Sequence, residues 1–134
     1  MFLVDTSVWI FALKKNSNPR LKNRIDRLLE IDEILSFGMI KLELLGGTKT
    51  SEEFHRLKKR LDAIYEISAD NKLWESASQL AFDLRRKGLT VPATDTLIAS
   101  AAIYSKSVLL HADMHFNLIA DCSKLKVESY AEEI

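Results

Sequence analysis

Short apolar runs alternate with longer stretches of helical apolar spacing along the whole chain. Phe2-Leu3-Val4 is too short for a helix and suits a buried strand. Any of the next three residues, Asp5-Thr6-Ser7, suits a helix cap, and Val8 to Leu13 then reads as a short buried helix. Lys14 to Asn18 is a polar loop, after which Pro19 opens a helix over about 19–30 with Leu21, Ile25, Leu28 and Leu29 on one face. Ile34-Leu35 predicts a second strand, and Gly38 to Leu45 a helix stopped by Gly46-Gly47. Thr50-Ser-Glu-Glu53 is a capping box for a helix over about 51–64, and Ile64 to Ile67 predicts a third strand. Asp70 caps a helix with Leu73, Ala77, Leu80, Ala81 and Leu84 inward and Gly88 as its stop. Leu89-Thr-Val91 precedes Pro92 and so is extended. Thr94-Asp95 opens an alanine-rich helix through Tyr104, Val108 to Leu110 predicts a fourth strand, Phe116 to Ala120 a helical turn, and Lys126 to Glu128 a last strand. The alternation predicts an α/β fold in one domain, residues 1–134, with a short parallel sheet covered by helices on both faces.

Composition narrows what such a fold does. The 134 residues are 47% hydrophobic and 28% charged, which suits a globular chain and excludes a disordered one. Lys+Arg and Asp+Glu are both 19, so a globally basic nucleic-acid binder is excluded and only a local basic patch can do that work. No window approaches the ~18–20 apolar residues of a membrane span, and the start reaches Asp5 too soon for a signal peptide. The one cysteine, Cys122, allows no internal disulfide and reads as a small apolar residue in a reducing, cytoplasmic compartment.

Ligands of open parallel sheets sit beyond the carboxyl ends of the strands, which makes the acids there informative. Asp5 follows the first strand and Asp113 the fourth. Asp95 sits in the first turn of the helix before that fourth strand, and Glu43 has leucine on both sides in the segment after the second. Each acid alone has an ordinary reading as a cap, a first-turn residue, a surface residue or a turn residue. Four that converge on one cleft would repel, and the usual reason to keep them is a hard divalent cation, Mg²⁺ or Mn²⁺.

Four segments carry a family resemblance: Phe2-Leu-Val-Asp5-Thr-Ser-Val-Trp9, Lys41-Leu-Glu43-Leu-Leu-Gly46, Thr94-Asp95-Thr-Leu-Ile-Ala99 and Leu109-Leu-His-Ala-Asp113-Met-His-Phe116. In order and spacing they resemble PIN-domain proteins, and more narrowly the VapC toxins of toxin–antitoxin pairs. The resemblance implies a three-layer α/β/α sandwich with a short parallel sheet, and a Mg²⁺- or Mn²⁺-dependent endoribonuclease. It places the acidic cluster, both catalytic and metal-binding, on Asp5, Glu43, Asp95 and Asp113, with a hydroxyl from either Thr6 or Ser7. It also implies a cognate antitoxin and a homodimer. Met114 stands where the family tends to have a basic residue, and the match loosens after Phe116.

The remaining polar features are less specific. Lys14, Lys15, Arg20, Lys22, Arg24 and Arg27 place six cations in fourteen positions against one acid. Lys14, Lys15, Arg20 and Lys22 are the expected contacts to RNA phosphates. Lys58-Lys-Arg60 and Arg85-Arg-Lys87 read as solvated helix ends. His111 and His115 read as packing at or near the site, and His55 as solvated; two histidines are too few for a zinc site. Trp9, Phe11, Phe37 and Phe54 are divided between core packing and a groove for a partner helix. Two other classes of protein fit the pattern less well. A receiver domain would need adjacent acids after the first strand and another after a middle strand, and this chain has neither. A non-catalytic PIN-like RNA-binding or scaffold module would not need all four acids.

Overall fold

Five parallel strands, in the order β3-β2-β1-β4-β5, form the sheet of the computed structural model. The structure describes residues 1–14 and 18–133. The strands are β1 (Phe2–Val4), β2 (Ile34–Phe37), β3 (Tyr65–Ile67), β4 (Val108–His111) and β5 (Lys126–Ser129). Between them run helices α1 (Thr6–Leu13), α2 (Pro19–Glu30), α3 (Gly38–Gly46), α4 (Ser51–Asp62), α5 (Asn71–Arg86), α6 (Ala93–Tyr104) and α7 (Met114–Asp121), and a 3₁₀ turn closes the described chain at Ala131–Glu133. The helices flank the sheet in the expected three-layer arrangement. Leu3, Val4, Leu109 and Leu110 in the two central strands are shut off from solvent, as runs buried on both faces must be.

The strand order decides where a ligand can sit. The chain builds outward from β1 to β2 and β3, then returns past β1 to add β4 and β5 on the other side. Connections therefore diverge at the β1–β4 boundary, and a crevice opens beyond the carboxyl ends of these two strands. Val4 pairs with Leu110, and the Asp5 N–H extends the ladder by donating to the Leu110 carbonyl at 2.9 Å. This order also removes the receiver reading, whose sheet runs 2-1-3-4-5.

Most elements follow the sequence pattern, with shifts at their ends. α1 starts at Thr6 rather than Val8 because Asp5 caps it, accepting the Ser7 N–H. Asn18 caps α2 in the same way, ahead of Pro19. The expected turn at Phe116–Ala120 is a full helix, because Asp113 caps it and Phe116 and Ile119 are buried beneath it. Gly88 takes φ +83 as the stop after α5, where a side chain would be strained. Gly47 does not: it closes α3 at φ −87, so that stop needs no left-handed residue. The capping box is displaced by one residue. Thr50 accepts the Glu53 N–H at 3.1 Å, but the Glu53 carboxylate reaches the N–H of Lys49.

Trp9 and Phe37 are core residues, while Phe11 and Phe54 are half-buried. The predicted division of the aromatics thus falls with two in the core. Among the described residues, no helix is long and apolar enough to cross a membrane.

Candidate active site

Asp5 and Asp113 cap the helices that follow β1 and β4, Asp95 lies in the first turn of α6, and Glu43 lies within α3. Asp5 is the residue after β1 and is 5% exposed. Its Oδ2 accepts the Ser7 N–H at 3.2 Å and the Ser7 hydroxyl at 2.5 Å. The same Ser7 oxygen accepts the Ala112 N–H at 3.1 Å, tying the turn after β1 to the turn after β4. Burial pushes the Asp5 carboxyl up from its ordinary value; the bonds from Ser7 and Thr6 pull it back, and the charge of Glu43 adds to the rise.

Thr6 and Ser7 have different tasks. Ser7 holds Asp5, whereas the Thr6 hydroxyl points across the crevice and donates to Glu43 Oε1 at 2.8 Å. Glu43 is exposed on α3, although leucines flank it in sequence. At this point of a helix those neighbours turn to other faces, Leu44 inward and Leu42 outward.

Asp95 lies in the first turn of α6, where the helix dipole favours an acid. Its Oδ2 is 3.0 Å from His115 Nδ1. Burial pushes the Asp95 carboxyl up; His115 opposes the rise, while the charges of Asp113 and then Glu43 reinforce it. Asp113 caps α7, accepting the His115 N–H on Oδ1 at 2.9 Å. Single ligand atoms from Asp95, Asp113 and His115 lie within 4.8 Å of one another. Two of the four predicted acids therefore form a close group with a histidine. Asp5 and Glu43 stand outside that group; the charge of Glu43 acts on Asp95 and also on Asp5.

His115 is the residue that sequence reasoning undervalued. It was read as packing at or near the site, yet the ring reaches Asp95 on another helix. The available signal was its place two residues after a capping acid, where a first-turn side chain faces the same crevice as the cap. His111 does pack, fully buried, with its ring centroid 5.3 Å from that of Phe116. Burial pushes its pKa down. His55 is exposed and bonds to its own helix at the Ser51 carbonyl, as expected.

The cations expected to meet phosphates are dispersed. Lys14 lines a groove of about 770 Å³ together with Ile10, Leu13, Arg56, Arg60 and Glu43. Arg20 lines a separate hollow with Arg24, Arg27 and Tyr130, and Lys22 is exposed on α2. Lys15 lies outside the described residues. Arg24 is committed elsewhere: it forks onto Glu128 at 3.0 and 3.1 Å and stacks 5.0 Å from the Phe2 ring centroid. The Tyr130 hydroxyl donates to the same carboxylate at 2.5 Å. Burial, then that bond, pushes Tyr130 up to about 12.

The five-stranded parallel α/β sandwich thus carries acids near its topological switch point, a place where such folds bind ligands. The PIN domain model matches residues 2–121, and the chain belongs to the PIN-domain family. Ribonuclease VapC11 of Mycobacterium tuberculosis is 27% identical over 134 residues, covering 97% of this chain and 99% of that relative. Ribonuclease VapC18 of the same organism is 27% identical over 124 residues, covering 90% and 88%. DNA-bound VapBC from Salmonella typhimurium superposes with a TM-score of 0.77 at 20% identity over 96% of each chain. VapBC2 from Rickettsia felis, bound to a promoter DNA fragment, superposes at 0.74 with 23% identity, over 96% of this chain and 98% of that one. These two likenesses show the shared fold.

Proposed function

We propose that this protein is a divalent-metal-dependent endoribonuclease, the toxin of a toxin–antitoxin pair acting in the cytoplasm. The observation that carries the reading is the close group of Asp95, Asp113 and His115, with Glu43, which Thr6 bonds, felt as a charge by both Asp95 and Asp5. The ribonuclease names of its relatives support the activity, and the toxin–antitoxin complexes among the structural neighbours support the partner.

The donor set fits Mg²⁺ or Mn²⁺: carboxylate oxygens dominate, which suits hard cations, and one imidazole is tolerated better by Mn²⁺. Asp95 and Asp113 would hold such an ion, with Asp5 and Glu43 completing the ligand set. A bound ion supplies a nucleophilic water near neutral pH and neutralises charge on the phosphate oxygens. The protein's own residues arrange the oxygens. Ser7 orients Asp5, Thr6 orients Glu43, and the His115 ring and N–H orient Asp95 and Asp113. Carboxylates held at this spacing without a cation repel, so the fold is prepared for one.

The groove beside Glu43 suits the partner. Ile10 and Leu13 are 46% and 48% exposed along it, and Lys14, Arg56 and Arg60 rim it. An apolar floor with a cationic rim fits an amphipathic helix carrying acidic residues, which would reach the crevice at Glu43.

The test is brief expression in a bacterial host, with RNA examined directly. The expected outcome is growth arrest with discrete RNA cleavage, both relieved by the cognate partner. Intact RNA despite folded, abundant protein contradicts the proposal.

A further inference from the structure

The turn after β4 leaves two backbone N–H groups, of Ala112 and Asp113, that the sheet does not pair, and side chains satisfy both. Ser7 Oγ accepts from Ala112, and His111 Nδ1 accepts from Asp113 at 3.2 Å. The His111 ring is fully buried and packs against Phe116 of α7. Its other nitrogen, Nε2, has no hydrogen-bond partner among the described residues. The Asn117 amide lies beside the ring but donates to Ser129 Oγ at 3.1 Å. The hydrogen bond by which the ring reaches the turn at Asp113 is the one at Nδ1. An atom that accepts an N–H carries no proton, so the ring is the neutral Nε2–H tautomer.

This is the geometry of an Asx turn made by a histidine. An acceptor two bonds beyond Cβ reaches the N–H two residues on, as Asn and Asp side chains commonly do. Here the N–H belongs to Asp113, whose carboxylate is pinned from the other side by the His115 N–H. We infer that His111 is a positioning residue: through Nδ1 it fixes the backbone of Asp113 and so aims that carboxylate into the acidic crevice. It never touches substrate, and its strand position and Phe116 hold the ring still. The inference rests on the metal-binding reading of Asp113. Outer residues that orient metal ligands commonly matter 10–100-fold in affinity or activity.

The test compares His111→Asn, His111→Gln and His111→Leu. Asn places an acceptor where Nδ1 stands, Gln only where the unpartnered Nε2 stands, and Leu keeps apolar bulk without an acceptor. Three readouts are needed: melting temperature, hydrogen exchange at the Asp113 amide in metal-free protein, and Mn²⁺ affinity by electron paramagnetic resonance. The expected result is faster Asp113 exchange and about 10–100-fold weaker Mn²⁺ binding in Gln and Leu, with both largely restored in Asn. Folded Gln or Leu variants with wild-type exchange and affinity overturn the inference. So does a folded Asn variant that loses both, which decides the matter even where Gln and Leu fail to fold. A wild type that binds no Mn²⁺ overturns the metal reading instead, while the exchange measurement still judges the His111 bond.

Discussion

Replacing Asp95 by Asn removes one charge from the acidic group while keeping its shape and an acceptor for His115. The ligand atoms of Asp95 and Asp113 lie within 4.8 Å. At an effective dielectric near 20, two unit charges at that separation repel by roughly 3.5 kcal/mol. The Asp113 side chain is 42% exposed, so water screens much of this and about 1 kcal/mol remains. For a chain of this size that is a rise of roughly 3–4 °C in melting temperature. The pH dependence carries a sign. Burial and neighbouring acids raise the Asp95 pKa in the fold, so its contribution to stability is full below the unfolded value near 3.8 and is lost as pH rises through the folded value. The advantage of Asn therefore grows across that interval and is complete above the folded value. Divalent metal reverses the order. At a hundredfold excess over Kd a ligand stabilises by about 2.7 kcal/mol, and wild type, with its full ligand set, gains more than the variant. Scanning calorimetry of both proteins in chelator and in Mg²⁺ is the assay. A variant no more stable in chelator, with Mg²⁺ shifting both proteins equally, refutes the reasoning and leaves Asp95 as a first-turn acid.

Four further outcomes follow from the hydrogen bonds and the surface charges. Ser7→Ala deprives buried Asp5 of its hydroxyl donor and the Ala112 N–H of its acceptor, lowering stability by about 1–3 kcal/mol in urea denaturation; Thr6→Val, at an exposed bond, leaves stability nearly unchanged but slows cleavage by freeing Glu43. Tyr130 is raised to about 12 in the fold, so its stabilising contribution is intact below pH 10 and lost towards 12; Tyr130→Phe therefore loses about 1 kcal/mol less than wild type between pH 9 and 11. Neutralising Lys14, Arg20 and Lys22 together weakens binding of single-stranded RNA and reduces the log–log salt slope by about 0.7 for each phosphate that is no longer neutralised; an unchanged slope moves the RNA path elsewhere.

The elements that place Asp5 and Asp113 were legible because each pairs a short apolar run with a capping residue. Phe2-Leu-Val4 ahead of Asp5, and Val108-Leu-Leu110 ahead of Asp113, state a strand, its end and a helix start within a few residues. What escaped depends on contacts between elements. Nothing local to Thr6 and Ser7 says which hydroxyl turns towards Asp5 and which crosses to Glu43, 37 positions away. His115 meets Asp95 only once α6 and α7 pack side by side. Arg24 looked like one of six cations in a basic stretch, but Glu128, 104 positions on, takes it. The groove residues Ile10 and Leu13 read as core because a helix hydrophobic all round is normally buried. Their exposure beside Glu43 is a property of the packed molecule.

The central claim is that four carboxylates at the β1–β4 boundary cut RNA with a divalent ion. Its most direct test is the single-turnover cleavage rate of a labelled RNA by purified wild type and by Asp5→Asn, Glu43→Gln, Asp95→Asn and Asp113→Asn, in Mg²⁺ or Mn²⁺ and in excess chelator. The account predicts cleavage by wild type only with the ion present, and a loss on the order of a hundredfold or more in each folded variant, since each alters a group that stabilises developing charge. Chelator-resistant cleavage, or wild-type rates in the variants, would contradict it.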